Sequence, residues 1–258
     1  RICLEIKSIR VIRIIYFMYL SVIIPAYNEE KHIRKTVESV YQYLSGKNIE
    51  HEILVVNDGS TDKTNDIVRS VLPAIPTLQL LNYEQNNGKG FVVRQGMLKA
   101  KGQYRLFTDA DNATSIDHLE KMMPFFNQGY DVIIGSIALK GSTVASGSEP
   151  LWRRIFGTMG NLFIQIMAVP GIQDTQRGFK IITAKAAQNI FSKMTIDRWG
   201  FDIEMLALAR RFGYKIKEVP ITWKNNPNSH VKLNAYFQVL METVKIRWNL
   251  ITGKYNVK

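Results

Sequence analysis

The sequence predicts an α/β fold with a mostly parallel central sheet and flanking helices. Three observations carry that expectation. Short β-branched runs alternate with stretches of helical periodicity through the first half of the chain. Polar clusters stand at the exits of three of those runs. The 258 residues, 46% of them hydrophobic, suffice for the core of one such domain.

In chain order, "LSVIIP" (20–25), "EILVVND" (52–58), "LQLLNY" (78–83), "YRLFTD" (104–109) and "DVIIGS" (131–136) read as buried strands. Helical patterns fall between them at 29–45, 62–72, 89–100 and 115–127, with Asn28 and Ser115 as caps and Asp62 at a helix start. Strand–helix alternation implies parallel pairing through right-handed crossovers. Beyond Ser136 the rhythm breaks. "ALKGSTVASGSEP" reads as a small, polar loop. "LWRRIFGTMGNLFIQIMAVPGI" reads as an interfacial helix, with Trp152, Arg153 and Arg154 at headgroup level and Phe156, Leu162, Phe163, Ile166 and Met167 dipping inward; an ordinary core helix is the competing reading. Helices at 183–193 and 202–212, a strand at 216–223 and a long basic helix at 232–252 complete the pattern.

Charge and cysteine usage narrow the partners. The net charge is +12, and from Met205 onward ten Lys or Arg face only Glu218 and Glu242. With Trp223, Tyr236, Phe237, Trp248 and Tyr255 interleaved, this C-terminal stretch favours an anionic membrane surface over nucleic acid. The single Cys3 excludes an intrachain disulfide framework and a cysteine zinc cluster. "RICLEIKSIRVIRIIYF" is apolar, but Arg1, Glu5, Lys7, Arg10 and Arg13 interrupt it. Met18 is read as the natural start, with residues 1–17 an extension of upstream read-through or an expression remnant; a basic amphipathic arm is the alternative. The catalytic domain is expected over 18–231 and a basic amphipathic helix over 232–258.

The three polar exits carry the chemistry. In open α/β sheets ligands bind at the carboxyl ends of strands. Those ends hold Pro25 through Glu29, Asn57 through Ser60, and Asp109-Ala110-Asp111. Residues two apart in a strand share a side. Asp109 and Asp111 can therefore converge on one magnesium or manganese ion, which binds few carboxylates and shares itself with substrate phosphates. Aspartyl-phosphate phosphatases use the same letters as D-x-D-x-[TV], but the fifth position here is Ala113. In "VVNDGSTDKT", Gly59 permits close backbone approach and Asp58 can accept from a base or a ribose hydroxyl. "NNGKGFVVRQG" lacks the Walker A pattern, yet Gly88 and Gly90 bracket Lys89, with Arg94 a turn on, as a phosphate cradle could.

"LSVIIPAYNEE", "ILVVNDGSTDKT", "NNGKGFVVRQGM", "FTDADNAT" and "DTQRGFKI", in that order, resemble the family 2 inverting glycosyltransferases. "GIQDTQRGFKIITAKAA", "IDRWGFDIEML" and "EVPITW" extend the likeness to the polyprenyl- (dolichyl-) phosphate branch, its β-glucosyltransferases in particular. The resemblance implies a GT-A-type, Rossmann-like nucleotide-diphospho-sugar fold with C-terminal interfacial helices. By motif match, Pro25, Ala26, Tyr27, Glu29 and Asp58 hold the base and ribose, with Gly59 beside them. Asp109 and Asp111, flanking Ala110, hold a Mg or Mn ion and the diphosphate, and Lys89 lies near the nucleotide. Asp174, Gln176 and Arg177 face the sugar and acceptor, with Arg154 and Lys180 drawing in the lipid phosphate. Asp111, Asp174 and Arg177 are the catalytic candidates.

The implied reaction moves glucose from UDP-glucose to dolichyl or polyprenyl phosphate with inversion, on the cytoplasmic face of a membrane to which the enzyme binds peripherally. A GDP-mannose donor or a glycan hydroxyl acceptor are the alternatives, and a homodimer stays open. A phosphate monoester, with its second pKa near ~6, needs no strong general base. It needs cations that place it in line with the leaving diphosphate. Two departures stand out. Ile137 follows Gly-Ser where relatives often have Arg. Ala113 stands where mannosyl relatives have a third metal ligand.

Overall fold

The computed structural model describes residues 20–145, 151–224 and 233–256. Residues 1–17 and Met18 lie outside the described residues. So do the side chains of residues 151–158, among them Trp152, Arg153, Arg154 and Phe156.

Seven strands form the main sheet. They are β1 (Leu20–Ala26), β2 (His51–Asp58), β3 (Leu78–Tyr83), β4 (Tyr104–Thr108), β5 (Val132–Ser136), β7 (Phe179–Thr183) and β8 (Ile216–Pro220), in the spatial order β3-β2-β1-β4-β7-β5-β8. β6 (Thr143–Ala145) and β9 (Thr222–Lys224) pair separately in a small parallel sheet. β1, β2, β3 and β4 are parallel, as expected. β7 runs antiparallel to both of its neighbours.

Strand alternation sorts the core onto the two faces of the sheet. Val22, Ile24, Ile53, Val55, Leu106, Ile133 and Ile181 pack on one face with Val37 and Val40 of α1 (Ile33–Gly46) and Val68 and Val71 of α2 (Thr64–Val71). Ile23, Val56, Phe107, Val132, Ile134 and Ile182 pack on the other. Their partners are α3 (Lys89–Lys99), α6 (Ala184–Phe191) and α7 (Phe201–Arg211). The first two crossovers thus use one face and α3 the other. The switch falls between β1 and β4, which opens a crevice at their carboxyl ends.

Several expected boundaries move. The helix expected over 115–127 is only one short α-helical piece, α4 (Leu119–Met122), between 3-10 turns at Ile116–His118 and Met123–Gln128. Pro124 begins the second turn, and its missing N–H cannot extend an α-helical ladder. Asn28 does not cap α1. Its backbone is left-handed (φ 56°), and its Oδ1 accepts from the Thr61 backbone N–H. Part of the expected loop after Ser136 is β6. The strand expected over 216–223 leaves the main sheet at Ile221 and continues as β9.

α5 (Leu151–Met167) and α8 (Leu233–Ile251) pack against each other at the far end of the chain. α8 also packs on α7, and its Val239 and Ile246 join the core. Tyr255, expected in a surface aromatic patch, is 1% exposed. Its hydroxyl donates to Glu204 Oε1 at 2.6 Å. The same buried carboxylate accepts from the backbone N–H groups of Thr195 and Ile196. Tyr255→Phe is therefore expected to lower stability by about 1–3 kcal/mol, because a buried carboxylate loses a donor. Urea unfolding checks it; an unchanged midpoint would mean that the C-terminal segment is not fastened there.

Candidate active site

The exits of β1 and β2 are laced together. The Asn28 N–H donates to Ser60 Oγ (2.9 Å), the Glu29 N–H to Thr64 Oγ1 (2.8 Å) and the Glu30 N–H to Asp62 Oδ2 (3.0 Å). Small hydroxyl and carboxylate side chains of "GSTDKT" thus satisfy backbone amides of "AYNEE". Pro25 and Ala26 are buried at the base of this wall, while Tyr27 is exposed.

Asp58 closes the wall on the next loop. Its Oδ1 accepts from the Asn87 N–H (2.8 Å), and its Oδ2 accepts from the Gly88 N–H (2.9 Å) and Asn86 Nδ2 (3.0 Å). Burial lifts its carboxyl above the ordinary value, against the pull of the Asn87 and Gly88 amides. The carboxylate also lies at the amino end of α3, where the helix dipole favours an anion. Asp58 is thus first a clasp between two loops, and only a 2% exposed edge remains for a nucleotide. Gly59 (φ 68°) lets the turn pass the backbone of Gln85 and Asn86.

The glycines of "NNGKG" serve packing. A side chain on Gly88 (φ 105°) would strike the Asp197 carbonyl, and one on Gly90 would strike Phe201. Arg94 is tied to Asp197 (2.9 Å) and to the Met194 carbonyl, so it is no part of a phosphate cradle. Lys89 reaches across instead. Its Nζ lies 2.6 Å from Asp109 Oδ1, joining the loop that follows β3 to the exit of β4 on one rim.

Asp109 and Asp111 flank Ala110, whose carbonyl accepts from Thr36 Oγ1 of α1 at 2.6 Å. Asp111 Oδ1 accepts from the Ala113 N–H (3.0 Å), and Asn112 between them is left-handed (φ 54°). The Asp109 N–H donates to the Gly178 carbonyl, and a Cβ at Gly178 would fall 2.0 Å from Asp109 Oδ2. Only glycine leaves that carboxylate its place. Burial and Asp109 raise the Asp111 carboxyl. Burial, then Asp111 and Asp109, push Glu29 up to about 7. This rim therefore carries more carboxylate than its cations balance. That imbalance and the all-oxygen donor set suit a hard divalent cation held by Asp109 and Asp111 and completed by phosphate or water. No cluster of three acidic, His or Cys ligands forms among the described residues.

The antiparallel β7 brings the third group of residues to the same rim. Asp174 Oδ2 accepts from the Ile137 N–H (2.9 Å) and Arg177 Nε (3.2 Å). The Arg177 guanidinium lies over the Trp223 ring, 4.7 Å from its centroid. Trp223 therefore belongs to this site, not to a basic surface patch. Gln176 is exposed beside it. Lys180 departs from expectation. It is fully buried, and its Nζ donates to Asp202 Oδ1 (2.6 Å) and to the Arg177 carbonyl. It supports the loop bearing Arg177 from beneath and does not face an acceptor. Asp202, buried within "GFDIEML", also attracts Lys89. Burial opposes the charge on Lys89, but Asp109, Asp202 and Asp111 outweigh it and hold its ammonium above the ordinary value.

Sequence reasoning passed over Gly178 and Asp202. For Asp202 the signal was present, an acid inside an otherwise apolar helix start. For Gly178 nothing local distinguishes it from other loop glycines. Arg154 lies on α5, and its side chain is outside the described residues.

A switch-point crevice with a carboxylate pair and cations on its rim is the arrangement of a nucleotide-sugar transferase. Residues 21–191 match the Glycosyl transferase family 2 model, and the chain belongs to that family. Within it, the chain is 35% identical over 241 residues to dolichyl-phosphate β-glucosyltransferase ALG5A of Trichomonas vaginalis, covering 89% of this chain and 73% of that protein. It is 30% identical over 255 residues to the human dolichyl-phosphate β-glucosyltransferase (93% and 78%) and 31% over 256 residues to that of Saccharomyces cerevisiae (92% and 77%). The fold matches glucosyl-3-phosphoglycerate synthase of Mycobacterium tuberculosis, solved with Mn2+, UDP and glucosyl-3-phosphoglycerate, at a TM-score of 0.66 and 17% identity over 90% of this chain and 80% of that one. It also matches mannosyl-3-phosphoglycerate synthase of Rubrobacter xylanophilus at 0.65 and 15% (92% and 75%).

Glu29 offers a test of the crowded carboxylates in metal-free protein. Its folded value, raised from 4.5 to about 7, gives a contribution to stability that is complete below 4.5 and lost as pH rises through 7. Glu29→Gln is therefore expected to stabilise the chain by roughly 1–3 kcal/mol at pH 8 and to leave it close to unchanged at pH 4.5. Thermal melts in EDTA at both pH values read this, and a pH-independent difference would contradict the crowding.

Proposed function

We propose that this chain transfers glucose from UDP-glucose to the phosphate of dolichol or a similar polyprenol, inverting the anomeric centre. The observation that carries the reading is the shared rim: Asp109, Asp111, Lys89 and Arg177 converge where β1, β4 and β7 meet. The identity of the relatives supports both the sugar and the lipid acceptor.

The first wall, Pro25 through Glu29 with the clasped Asp58, receives the base and ribose. A magnesium or manganese ion held by Asp109 and Asp111 supplies charge neutralisation for the departing diphosphate. The acceptor phosphate approaches from the Arg177 side, and one of its oxygens bonds to the anomeric carbon as the carbon–oxygen bond to the diphosphate breaks and UDP leaves. Arg177 is suited to hold it, since beyond Asp174 and Trp223 its guanidinium has no partner among the described residues. Asp174 positions Arg177 and the Ile137 backbone. Because both Asp174 contacts fall on Oδ2 and the side chain is 11% exposed, it fits an orienting role better than that of a free general base. This favours a phosphate over a hydroxyl acceptor.

Purified protein is given labelled UDP-glucose or GDP-mannose with a short polyprenyl phosphate and Mn2+. Chloroform-soluble label with UDP-glucose alone is the expected result, and Asp111→Asn is expected to lower the rate at least about a hundredfold. Label in water-soluble glycan only would overturn the lipid acceptor.

The membrane side of the reading rests on α5 and α8. Among the described residues no helix is long and apolar enough to cross a membrane. Met159, Leu162 and Ile166 of α5 are exposed, as are Phe237, Met241, Val244, Trp248 and Ile251 of α8. Their spacings put each set on one helical stripe. Exposed Lys245 and Arg247 flank the α8 stripe, as anionic headgroups would require. A peripheral enzyme resting this face on the cytoplasmic leaflet would meet its acceptor there. Flotation with vesicles of anionic lipid is expected to carry the wild-type chain upward and to leave a Phe237→Ser/Trp248→Ser double variant at the bottom; equal flotation of both would move the contact elsewhere.

A further inference from the structure

Glu218 of β8 spends its carboxylate on main chain. Its Oε2 accepts from the Gln173 N–H (2.9 Å) and its Oε1 from the Asp174 N–H (3.1 Å). The Gln173 carbonyl, on the same peptide plane as the Asp174 N–H, accepts from Asn161 Nδ2 of α5 at 2.6 Å. A planar peptide gripped at both edges cannot rotate without losing both bonds. The Asp174 side chain leaves the next Cα, and its Oδ2 accepts from the Ile137 N–H (2.9 Å) and from Arg177 Nε (3.2 Å). β8 fixes Ile137 by a second route. Its pairing with β5 puts Glu218 opposite Ile134 and Pro220 opposite Ser136, and the Ile221 N–H donates to the Ser136 carbonyl. The same segment runs on into β9, where Trp223 lies under the Arg177 guanidinium. Residues 216–224 thus hold Arg177 from two sides, with its platform at Trp223 and, through Asp174, its tether at Glu218.

We propose that Glu218 is a positioning residue for the acceptor phosphate, acting on Arg177 through the Gln173–Asp174 main chain, with Asn161 as its counterpart on α5. A carboxylate facing two successive backbone N–H groups makes charge-assisted bonds, about twice as strong as neutral ones. One side chain thereby fixes two amides. Glutamine in its place has a single acceptor oxygen and turns an NH2 group toward one of the amides, so that contact becomes donor against donor. Freed at that edge, the peptide lets Asp174 drift, and Arg177 with it. Arginine holds a phosphate by paired, directional N–H···O bonds, so a guanidinium that turns away loses its hold. The donor wall from Pro25 to Asp111 shares no hydrogen bond with Glu218 or Asn161 among the described residues, so the effect falls on one substrate. Asn161 also stands between the exposed Met159 and Leu162. The link therefore ties the height of Arg177 to the stripe proposed to rest on lipid, and so to the phosphate of an acceptor anchored there.

This inference rests on the proposed acceptor role of Arg177, and the two can fail separately. Initial rates are measured with labelled UDP-glucose, Mn2+ and a short polyprenyl phosphate, varying each substrate in turn, and UDP binding is followed apart from turnover by calorimetry. In Glu218→Gln the KM for polyprenyl phosphate is expected to rise at least about tenfold, while the KM for UDP-glucose and the UDP affinity stay within about twofold of wild type. Asn161→Leu, at a partly exposed position, is expected to shift the acceptor KM the same way by about threefold, and it decides if Glu218→Gln does not fold. A fall in kcat with both KM values unchanged would make Glu218 a purely structural support. An acceptor KM that does not move would put the positioning elsewhere. Either result overturns the inference while the functional reading stands. Wild-type protein that transfers no glucose to polyprenyl phosphate would bring down the functional reading, and the role of Glu218 with it.

Discussion

Two carboxylates at the end of one strand repel each other, and the rest of this site is arranged around that repulsion. Asp109 has Lys89 on one side and the bare backbone of Gly178 on the other. Behind Lys89 lies Asp202, and behind Asp202 lies Lys180, so charges alternate from the rim into the core. Each buried member has an opposite neighbour. That is the condition for keeping ions out of water, since leaving one unpaired costs about 3–5 kcal/mol. Glu29 and Asp111 are the members the chain leaves under-compensated. The protein stores unfavourable charge where a cation and a diphosphate can relieve it.

The sheet topology turns this local arrangement into a two-substrate site. The parallel order β3-β2-β1-β4 gives the half proposed to receive the nucleotide, with its crevice at the change of crossover face. β7 then enters antiparallel beside β4, so the start of β7 meets the end of β4. The loop carrying Asp174 and Arg177 is thereby delivered next to the aspartate pair. β9 closes the same corner, with the Lys224 N–H donating to the Ala113 carbonyl and Trp223 beneath Arg177. The missing metal ligand at Ala113 has a structural counterpart, because Ala113 uses its backbone on both sides, toward Asp111 and toward β9.

Much of the nucleotide half was legible in the sequence. β1, β2, β4 and β5 are largely buried runs of β-branched residues between turn signals, whereas β3, read as buried from its sequence, is a half-exposed edge strand because no strand covers its outer side. The polar exits followed from where such strands must end. β7 was not legible, because Lys180 interrupts its apolar run and reads as a contact to the acceptor phosphate until Asp202 is seen beside it. Tyr255 and Trp223 were assigned to a surface by the company of basic neighbours in sequence. In the fold one meets Glu204 and the other meets Arg177.

The sequence by itself determined the strand–helix alternation of the first half, the chemistry of the rim and the paired acids, because hydrophobic period and turn composition act over a few residues. Only the tertiary structure decided what each charged side chain does. Asp58 is a clasp, Lys180 a buried prop, and Lys89 the partner of Asp109, since every one of these roles is set by a group twenty or more residues away. Ionic partners are chosen by proximity in space and by the cost of burying charge alone, and neither quantity is written in local order along the chain.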